Sequence, residues 1–432
     1  MKTCEKTKIA VIGLGYVGLP LSLEFSDHFA VVGFDISEKR IKELNNNTDI
    51  TKETSRTEIQ GRIKYSNDGE NGVFFTNILK SISDCSVFII TVPTPIDHLK
   101  NPDLSQLIAA SEMVGSVLDK GDVVIYESTT FPGCTEEICV PALEKASGLV
   151  YNQDFFVGYS PERINPGDKK NTLPSIIKVT SGSNEETAEF VDNLYARIIS
   201  AGTYKAPSIK VAEASKAIEN AQRDLNISFV NELAIIFEKL NIDTNDVLEA
   251  AGSKWNFLKF KPGLVGGHCI DVDPYYLAYK AQQASYQPNV ILSGRNVNSN
   301  MGKFVASKVI KLMNGKGLII NKTKTLILGF TFKENCPDFR NTKVIDIYNE
   351  LQEFGSKVNI FDPWVNAQDV ADSHNIKVFS NLKEITTKYD AVILAVTHDH
   401  FCIFDFLKYK KENGIIYDCK GIVNRNIVNA RL

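Results

Sequence analysis

The stretch LVGGHCIDVDPYY, residues 264–276, sets Cys269 among glycines, a histidine and two aspartates. A cysteine attacks as its thiolate, and neighbouring carboxylates raise a thiol pKa. With Asp271 and Asp273 so close, a nucleophilic Cys269 needs a compensating cation. The run EASKAIENAQRD supplies one, because Lys216 and Asn220 stand four apart and share a helix face. An ammonium and an amide aimed together stabilise an oxyanion, and Asp273 is placed in sequence to hold that lysine or a water. Spacing alone also fits a cysteine packed between glycines and a solvated, charged helix.

The other end of the chain supplies an oxidant. The run KIAVI, Lys8–Ile12, leads into GLGYVG, and Val17, Leu21 and Phe25 then recur four apart on one helix face. Gly13, Gly15 and Gly18 therefore join a strand to a helix, and Asp35 ends the next strand, the setting that makes G-x-G-x-x-G a dinucleotide site. Gly13 permits the turn, Gly15 admits a pyrophosphate to the backbone, and Gly18 allows close packing. The pyrophosphate sits on the helix N-terminus. Asp35 accepts from a ribose diol and repels a 2′-phosphate, which favours NAD. Arg40 works against that preference, since an arginine serves a 2′-phosphate. The runs TVPTP (91–95) and ESTTFPG (127–133) put hydroxyls where a nicotinamide would lie, although turn chemistry explains both as well. With NAD at hand, a cysteine suggests covalent oxidation, in which a thiolate adds to an aldehyde, hydride leaves to give a thioester, and water releases the acid.

These groups need a scaffold, and the chain alternates strand and helix. Apolar runs at 86–92, 122–128 and 155–160 extend the first set, with helical segments between them, as in a doubly wound parallel sheet. A helix is predicted from Ile209 to Leu240, without proline or glycine, long enough to join domains or form a subunit interface. A second set of strands follows at 324–330, 357–363, 389–396 and 414–420, without a G-x-G-x-x-G. The fold class is α/β, two Rossmann-like domains joined by a long central helix. Ligands of such sheets collect at the carboxyl ends of the strands.

Composition narrows the function classes. The chain has 432 residues, 43% hydrophobic and 23% charged, with a net charge of −4. That balance argues against nucleic-acid binding, and no basic run or long apolar stretch suggests a membrane. The eight cysteines are scattered and only six histidines exist, so no metal site is expected. Dispersed cysteines without an export signal point to a reducing cytoplasm, most of them as small buried hydrophobes.

Six ordered motifs, GLGYVG, VPTP, SPER, EASKAIEN, FKPGLVGGHC…D and FTFKENCPDFRNT, resemble the nucleotide-sugar 6-dehydrogenases, the family that includes UDP-glucose dehydrogenase. The resemblance covers essentially the whole chain. It implies four-electron oxidation of a sugar C6 alcohol to a carboxylate, with two NAD and one water. Cys269 then forms the thiohemiacetal and thioester, Lys216 and Asn220 stabilise oxyanions, and Asp273 supports water and lysine. Thr129 and Glu162 order water and move protons. On the cofactor side the resemblance adds Tyr16, Val17, Thr94, Thr129 and Arg340 to the glycines, Asp35 and Arg40. On the substrate side it implies Glu162, Arg163, Lys216, Asn220, Phe260, Gly263, Gly266 and Lys333. The domains it implies are an NAD-binding one over 1–205, a central dimerisation region over 206–320 that carries the cysteine loop, and a UDP-sugar-binding one over 321–432. A homodimer through the central helix is implied too.

Within that family, SPERINPG and AAGSKWNFLKFKPGLVGGHCI are closer to the branch acting on UDP-N-acetylhexosamines. Arg163 and the wall Trp255–Asn256–Phe257 suggest room for an acetamido group, and UDP-N-acetylglucosamine is the leading substrate. The galacto and manno epimers and UDP-glucose remain alternatives, and polysaccharide precursor synthesis is the implied role. Asp271 departs from the glycine or proline usual there. It should raise the Cys269 pKa unless it points away or pairs with a cation, and Asp271→Gly should lower the alkaline-side optimum. Two other classes stay open, a sensor of NAD or UDP-sugar and a two-electron dehydrogenase of the 6-phosphogluconate type that does not need Cys269.

Overall fold

The computed structural model describes residues 7–164, 171–267 and 270–432. Its first sheet holds β1 (Lys8–Ile12), β2 (Ala30–Phe34), β3 (Gly72–Thr76), β4 (Val87–Ile90), β5 (Val123–Tyr126) and β6 (Phe156–Tyr159), in the order β3-β2-β1-β4-β5-β6. Every pairing in it is parallel. Near-continuous burial along these strands fits a sheet covered on both faces, where apolar runs replace alternation. A short parallel pair follows, β7 (Lys178–Thr180) with β8 (Thr203–Lys205).

The second sheet repeats the plan with β9 (Lys324–Leu328), β10 (Lys357–Phe361), β11 (Val378–Phe379), β12 (Tyr389–Leu394), β13 (Lys410–Asp418) and β14 (Ala430–Arg431). Its order is β11-β10-β9-β12-β13-β14. The switch point falls between β1 and β4 in the first sheet, and between β9 and β12 in the second. Ligand crevices of open α/β sheets form at such points.

By contact density the chain divides into two compact units. Residues up to Glu219 with Tyr275–Tyr286 form one, and Asn220–Pro274 with Gln287–Leu432 the other. The helix Ile209–Leu240 is continuous through the division, as its unbroken sequence predicts. Val211, Ile218, Phe229, Ile236 and Leu240 are exposed on it, at intervals that return to one side.

Several strands stop short of their apolar runs. The run 86–92 pairs only over Val87–Ile90, and 122–128 only over Val123–Tyr126. Thr91 and Glu127 each still donate N–H to the neighbouring strand at 2.9 Å. Beyond that their side chains turn to partners outside the sheet ladder, Thr91 to Gly13 O and Glu127 to Lys178. Of the six cysteines described as free thiols, five are buried and Cys402 is exposed. Among the described residues no helix is long and apolar enough to cross a membrane.

Candidate active site

Register lines up the carboxyl ends of the first sheet. Ile12 pairs with Phe34 and Ile90, Ile90 with Tyr126, and Tyr126 with Tyr159. Gly13, Asp35, Thr91, Glu127 and Ser160 therefore form the next row, along one edge. Hydroxyls lace the loops of that edge together. Thr91 Oγ1 donates to Gly13 O at 2.7 Å, Ser128 Oγ to Val92 O at 2.7 Å, and Thr94 Oγ1 to Thr129 O at 2.7 Å. Tyr276 donates its hydroxyl to the Thr94 carbonyl. The hydroxyls of TVPTP and ESTTFPG thus do perform turn chemistry, and in doing so they fix the backbone of the predicted cofactor residues.

The glycine turn fits a dinucleotide. Gly13 has φ +93°, and a Cβ on Gly18 would stand 1.8 Å from Gly13 O, so both positions exclude side chains. A Cβ on Gly15 would meet nothing within 4 Å, leaving its backbone open to a ligand. Tyr16 and Val17 are half-buried beside it. Asp35 accepts from Leu14 N at 2.9 Å and Ser37 N at 2.8 Å, which aims its carboxylate at the turn. Arg40 is buried, donates Nε to Leu14 O at 2.8 Å, and pairs with Asp49 at 2.8 Å. Its guanidinium braces the turn from behind, so the sequence argument for a 2′-phosphate loses its force.

The long helix enters the same unit. Glu213 accepts from Thr135 N at 2.9 Å and Thr135 Oγ1 at 2.7 Å, and also from Gly133 N and Thr130 Oγ1. Burial pushes its pKa up to about 6 against those donors. Lys216, one turn on and itself buried, therefore belongs to a helix face tied to the ESTTFPG loop. Arg163 donates Nε to Glu219 at 2.8 Å, with NH2 at 2.6 Å. That pairing holds it against the helix, one residue before Asn220.

Glu162 is buried and accepts from Lys178 Nζ at 2.9 Å and from Ile164 N at 2.5 Å. Lys178 reaches Glu127 at 2.8 Å on its other side, and Tyr195 donates its hydroxyl to Glu127. Burial pushes Glu127 up to about 7, opposed by Lys178 and reinforced by Glu162. Burial also works against the charge of Lys178, but the two glutamates outweigh it and raise its pKa.

In the second unit Asn220 Nδ2 donates to Asp273 Oδ2 at 2.5 Å. The long helix is thereby bonded to the carboxylate four residues past Cys269, and Asp273 serves the amide directly. Cys269 itself lies outside the described residues. Its flanks are held firmly. Asn231 donates to Gly263 O at 3.0 Å and accepts from Gly263 N at 2.8 Å, while Asn341 donates to Gly267 O at 3.1 Å. A Cβ on Gly266 would stand 2.5 Å from Asn341 O, and one on Gly267, where φ is +92°, 2.8 Å from the Phe332 ring. Asp271 pairs with buried Arg295 and, at 3.4 Å, with Lys343. Arg295 also pairs with Asp224 at 2.6 Å. The cations that would offset Asp271 are therefore present, and its effect on a nearby thiol is reduced.

Beyond β9 the second sheet makes its own turn. Gly329 has φ +88° and donates N–H to Phe361 O at 2.8 Å, and Asp362 accepts from Phe330 N at 2.6 Å. Lys333 is half-buried past this turn, its carbonyl accepting from Thr331 Oγ1 at 2.7 Å. Arg340 is exposed and bonded to Asp338, with NH2 at 2.6 Å. Phe260 is half-buried. Among the described residues no group of three or more His, Cys, Asp or Glu is placed to hold a metal ion.

Comparison with known proteins decides the family. The NAD-binding domain of the UDP-glucose/GDP-mannose dehydrogenase family matches residues 7–199, its central domain 210–300, and its UDP-binding domain 326–425. The chain belongs to that family. It is 55% identical to the UDP-N-acetyl-D-glucosamine 6-dehydrogenase of Salmonella typhi over 99% of both chains. With the enzyme of the same name from Pseudomonas aeruginosa it shares 53%, over 98% of this chain and 99% of that one. A solved UDP-D-ManNAc dehydrogenase from Pyrococcus horikoshii, 28% identical, superposes with a TM-score of 0.87 over 98% of both chains. The chain is thus an NAD-dependent UDP-sugar dehydrogenase, with a glycine turn in its NAD-binding domain and the Gly329 turn in its UDP-binding domain.

Four groups of this enzyme escaped sequence reasoning: Glu127, Lys178, Glu213 and Arg295. Glu127 was legible, being the first residue past a parallel strand and within the ESTT run. Lys178, Glu213 and Arg295 carry no local signal, because each finds its partners across 16 or more, 78 or more and 24 or more residues respectively.

Proposed function

We propose that this enzyme oxidises C6 of UDP-N-acetylglucosamine to the carboxylate, consuming two NAD and one water per sugar. The two relatives at 55% and 53% identity, each named for that substrate, support the choice of sugar. The observation that carries the mechanism is the Asn220–Asp273 hydrogen bond, which ties the oxyanion helix to the loop of Cys269.

In this reading the Cys269 thiolate adds to the C6 aldehyde, and Lys216 and Asn220 stabilise the resulting oxyanion. Loss of hydride from C6 leaves a thioester, and water attacks its carbonyl carbon to release the acid and the thiol. Asp273 orients the Asn220 amide, Glu162 accepts the proton of the water, and Thr129 orders that water. NAD, when bound, supplies the hydride acceptor for both oxidations. Gly13, Gly15 and Gly18 hold its pyrophosphate and Asp35 its ribose diol, with Tyr16, Val17, Thr94 and Arg340 completing its contacts. Phe260, Gly263, Gly266, Lys333 and Arg163 bind the UDP-sugar. The exposed stripe from Val211 to Leu240 supports a homodimer paired along the long helix. NAD and UDP-sugars are cytoplasmic metabolites, which puts the reaction in that compartment, as a step toward polysaccharide precursors.

Counting NADH released per UDP-N-acetylglucosamine tests the reading, with two expected. A count of one would reduce it to alcohol oxidation, and none would overturn it. A parallel panel of the galacto and manno epimers and UDP-glucose tests the sugar. Cys269→Ser should cut turnover by several orders of magnitude, and unimpaired turnover would exclude the thioester.

A further inference from the structure

Four elements of the first unit converge on one buried ammonium. Glu127 comes from the end of β5, Glu162 from the loop after β6, Lys178 from β7, and Tyr195 from the helix Glu185–Ala196. Lys178 bonds Glu127 at 2.8 Å and Glu162 at 2.9 Å, and its Nζ lies 5.3 Å from the centre of the Tyr195 ring. All four side chains are buried. Of the other charges on these elements, Arg163 pairs with Glu219, and Asp192 accepts from Thr180 Oγ1 at 2.6 Å. Two carboxylates and one ammonium carry a net charge of −1, so the group has room for one more proton. A structural ion pair would need only one glutamate, and burying a second carboxylate on the same cation is costly. Its presence calls for a reason.

We infer that Glu127 and Lys178 form a proton store behind Glu162, relaying the proton that Glu162 takes from the hydrolytic water. This rests on the role given to Glu162 in thioester hydrolysis. As the water oxygen bonds the thioester carbon, its proton passes to a Glu162 carboxylate oxygen. Lys178 Nζ then releases one proton to Glu127 and takes one from Glu162. The ammonium is conserved, Glu162 returns to carboxylate, and Glu127 holds the proton. Burial, with the charge of Glu162 beside it, makes Glu127 a good resting place: its pKa is pushed up to about 7 against the hydrogen bonds from Lys178 and Tyr195. Glu127 and Lys178 are positioning residues, acting on the chemistry only through Glu162.

The test is the pH dependence of steady-state turnover, together with the pre-steady-state release of NADH, in the full-length enzyme. Glu127→Gln is isosteric and removes one negative charge beside Glu162. The acid limb of the kcat profile should move down by about one pH unit. Turnover should fall about tenfold while two NADH per site are still released in a burst, since both hydride transfers precede the hydrolysis that is slowed. Lys178→Arg keeps the charge but offers no proton to relay, because guanidinium does not deprotonate. It should show the same burst and slow turnover. A Glu127→Gln profile superimposed on the parent would overturn the inference, as would a folded Lys178→Arg enzyme with full turnover. Should Lys178→Arg fail to fold, the Glu127→Gln profile decides alone. Glu162→Gln separates the two levels: full turnover there defeats the role of Glu162 itself. Slow turnover there beside an unmoved Glu127→Gln profile defeats only the relay.

Discussion

The two sheets of this enzyme open with the same turn and use it differently. After β1, Gly13 at φ +93° donates N–H to Phe34 O at 2.8 Å, and Asp35 accepts from Leu14 N. After β9, Gly329 at φ +88° donates to Phe361 O at 2.8 Å, and Asp362 accepts from Phe330 N. One residue further the turns part. Gly15 has no side chain and open space above it, whereas Thr331 sends its hydroxyl to Lys333 O and faces His398 at 3.3 Å. Asp35 remains half-buried, but Asp362 is fully buried and also bonded to His398 at 3.0 Å and Trp364 N at 2.7 Å. The same backbone device is thus a ligand cradle in one unit and a sealed brace in the other. What decides is the third residue of the turn, Gly15 in one and Thr331 in the other.

The sharpest way to break the comparison is to fill the open turn. Gly18→Val places its Cβ 1.8 Å from Gly13 O and 2.5 Å from Thr91 Oγ1. NADH affinity should fall at least about a hundredfold, roughly 2.7 kcal/mol, while UDP affinity holds. Separate calorimetric titrations with the two ligands would show it.

Asp362→Asn attacks the brace instead. It leaves buried N–H donors poorly matched and should cost about 2–3 kcal/mol of stability, read as a lowered Tm, with NADH affinity unchanged. A pH effect follows from the same group. Burial raises the Asp362 pKa, but His398 and the backbone donors outweigh it and the net shift is downward. A carboxylate with a lowered folded pKa contributes its full stability above the unfolded value of about 4. That contribution is lost as pH falls through the folded value. The parent enzyme should therefore lose stability more steeply than Asp362→Asn as pH falls below about 4, in denaturation midpoints measured across that range.

Asp35→Asn should be milder than either change. It leaves a group that still accepts from Leu14 N–H, so Tm should barely move. NAD should bind about tenfold more weakly, about 1.4 kcal/mol, and the preference over NADP should narrow. Kinetic comparison of the two cofactors reads that change directly.

The smallest effect belongs to Asp271. With Arg295 and Lys343 both paired to it, Asp271→Gly should move the alkaline limb of the pH–rate profile by no more than a few tenths of a unit. The sequence alone suggests a larger move, because it shows the aspartate but not its cations.

That contrast marks what can be read from the chain itself. Strand–helix alternation, the glycine turn with Asp35 and the unbroken helix at 209–240 are local patterns, and each appears in the structure where the periodicity puts it. Strand β3 was legible in GVFFT, bounded by glycine and asparagine, yet β11 and β14 are two residues each and give no period to detect. Arg40 was misleading for a related reason. Its distance from Asp35 fits a phosphate ligand, and only the fold shows it turned toward Asp49 and the Leu14 carbonyl. Buried pairs formed over long sequence separations leave no trace in spacing, which is why Lys178 and Arg295 went unseen.

The glycines ahead of Cys269 limit how this site can change. Residues 263, 266 and 267 lie so close to their surroundings that even a methyl group would displace a neighbour at the last two. Selection for another sugar therefore has little freedom at the two glycines just ahead of Cys269. Exposed positions such as Trp255, 92% exposed, and Leu258, 62% exposed, carry no such limit, and substitutions are expected to be tolerated there first.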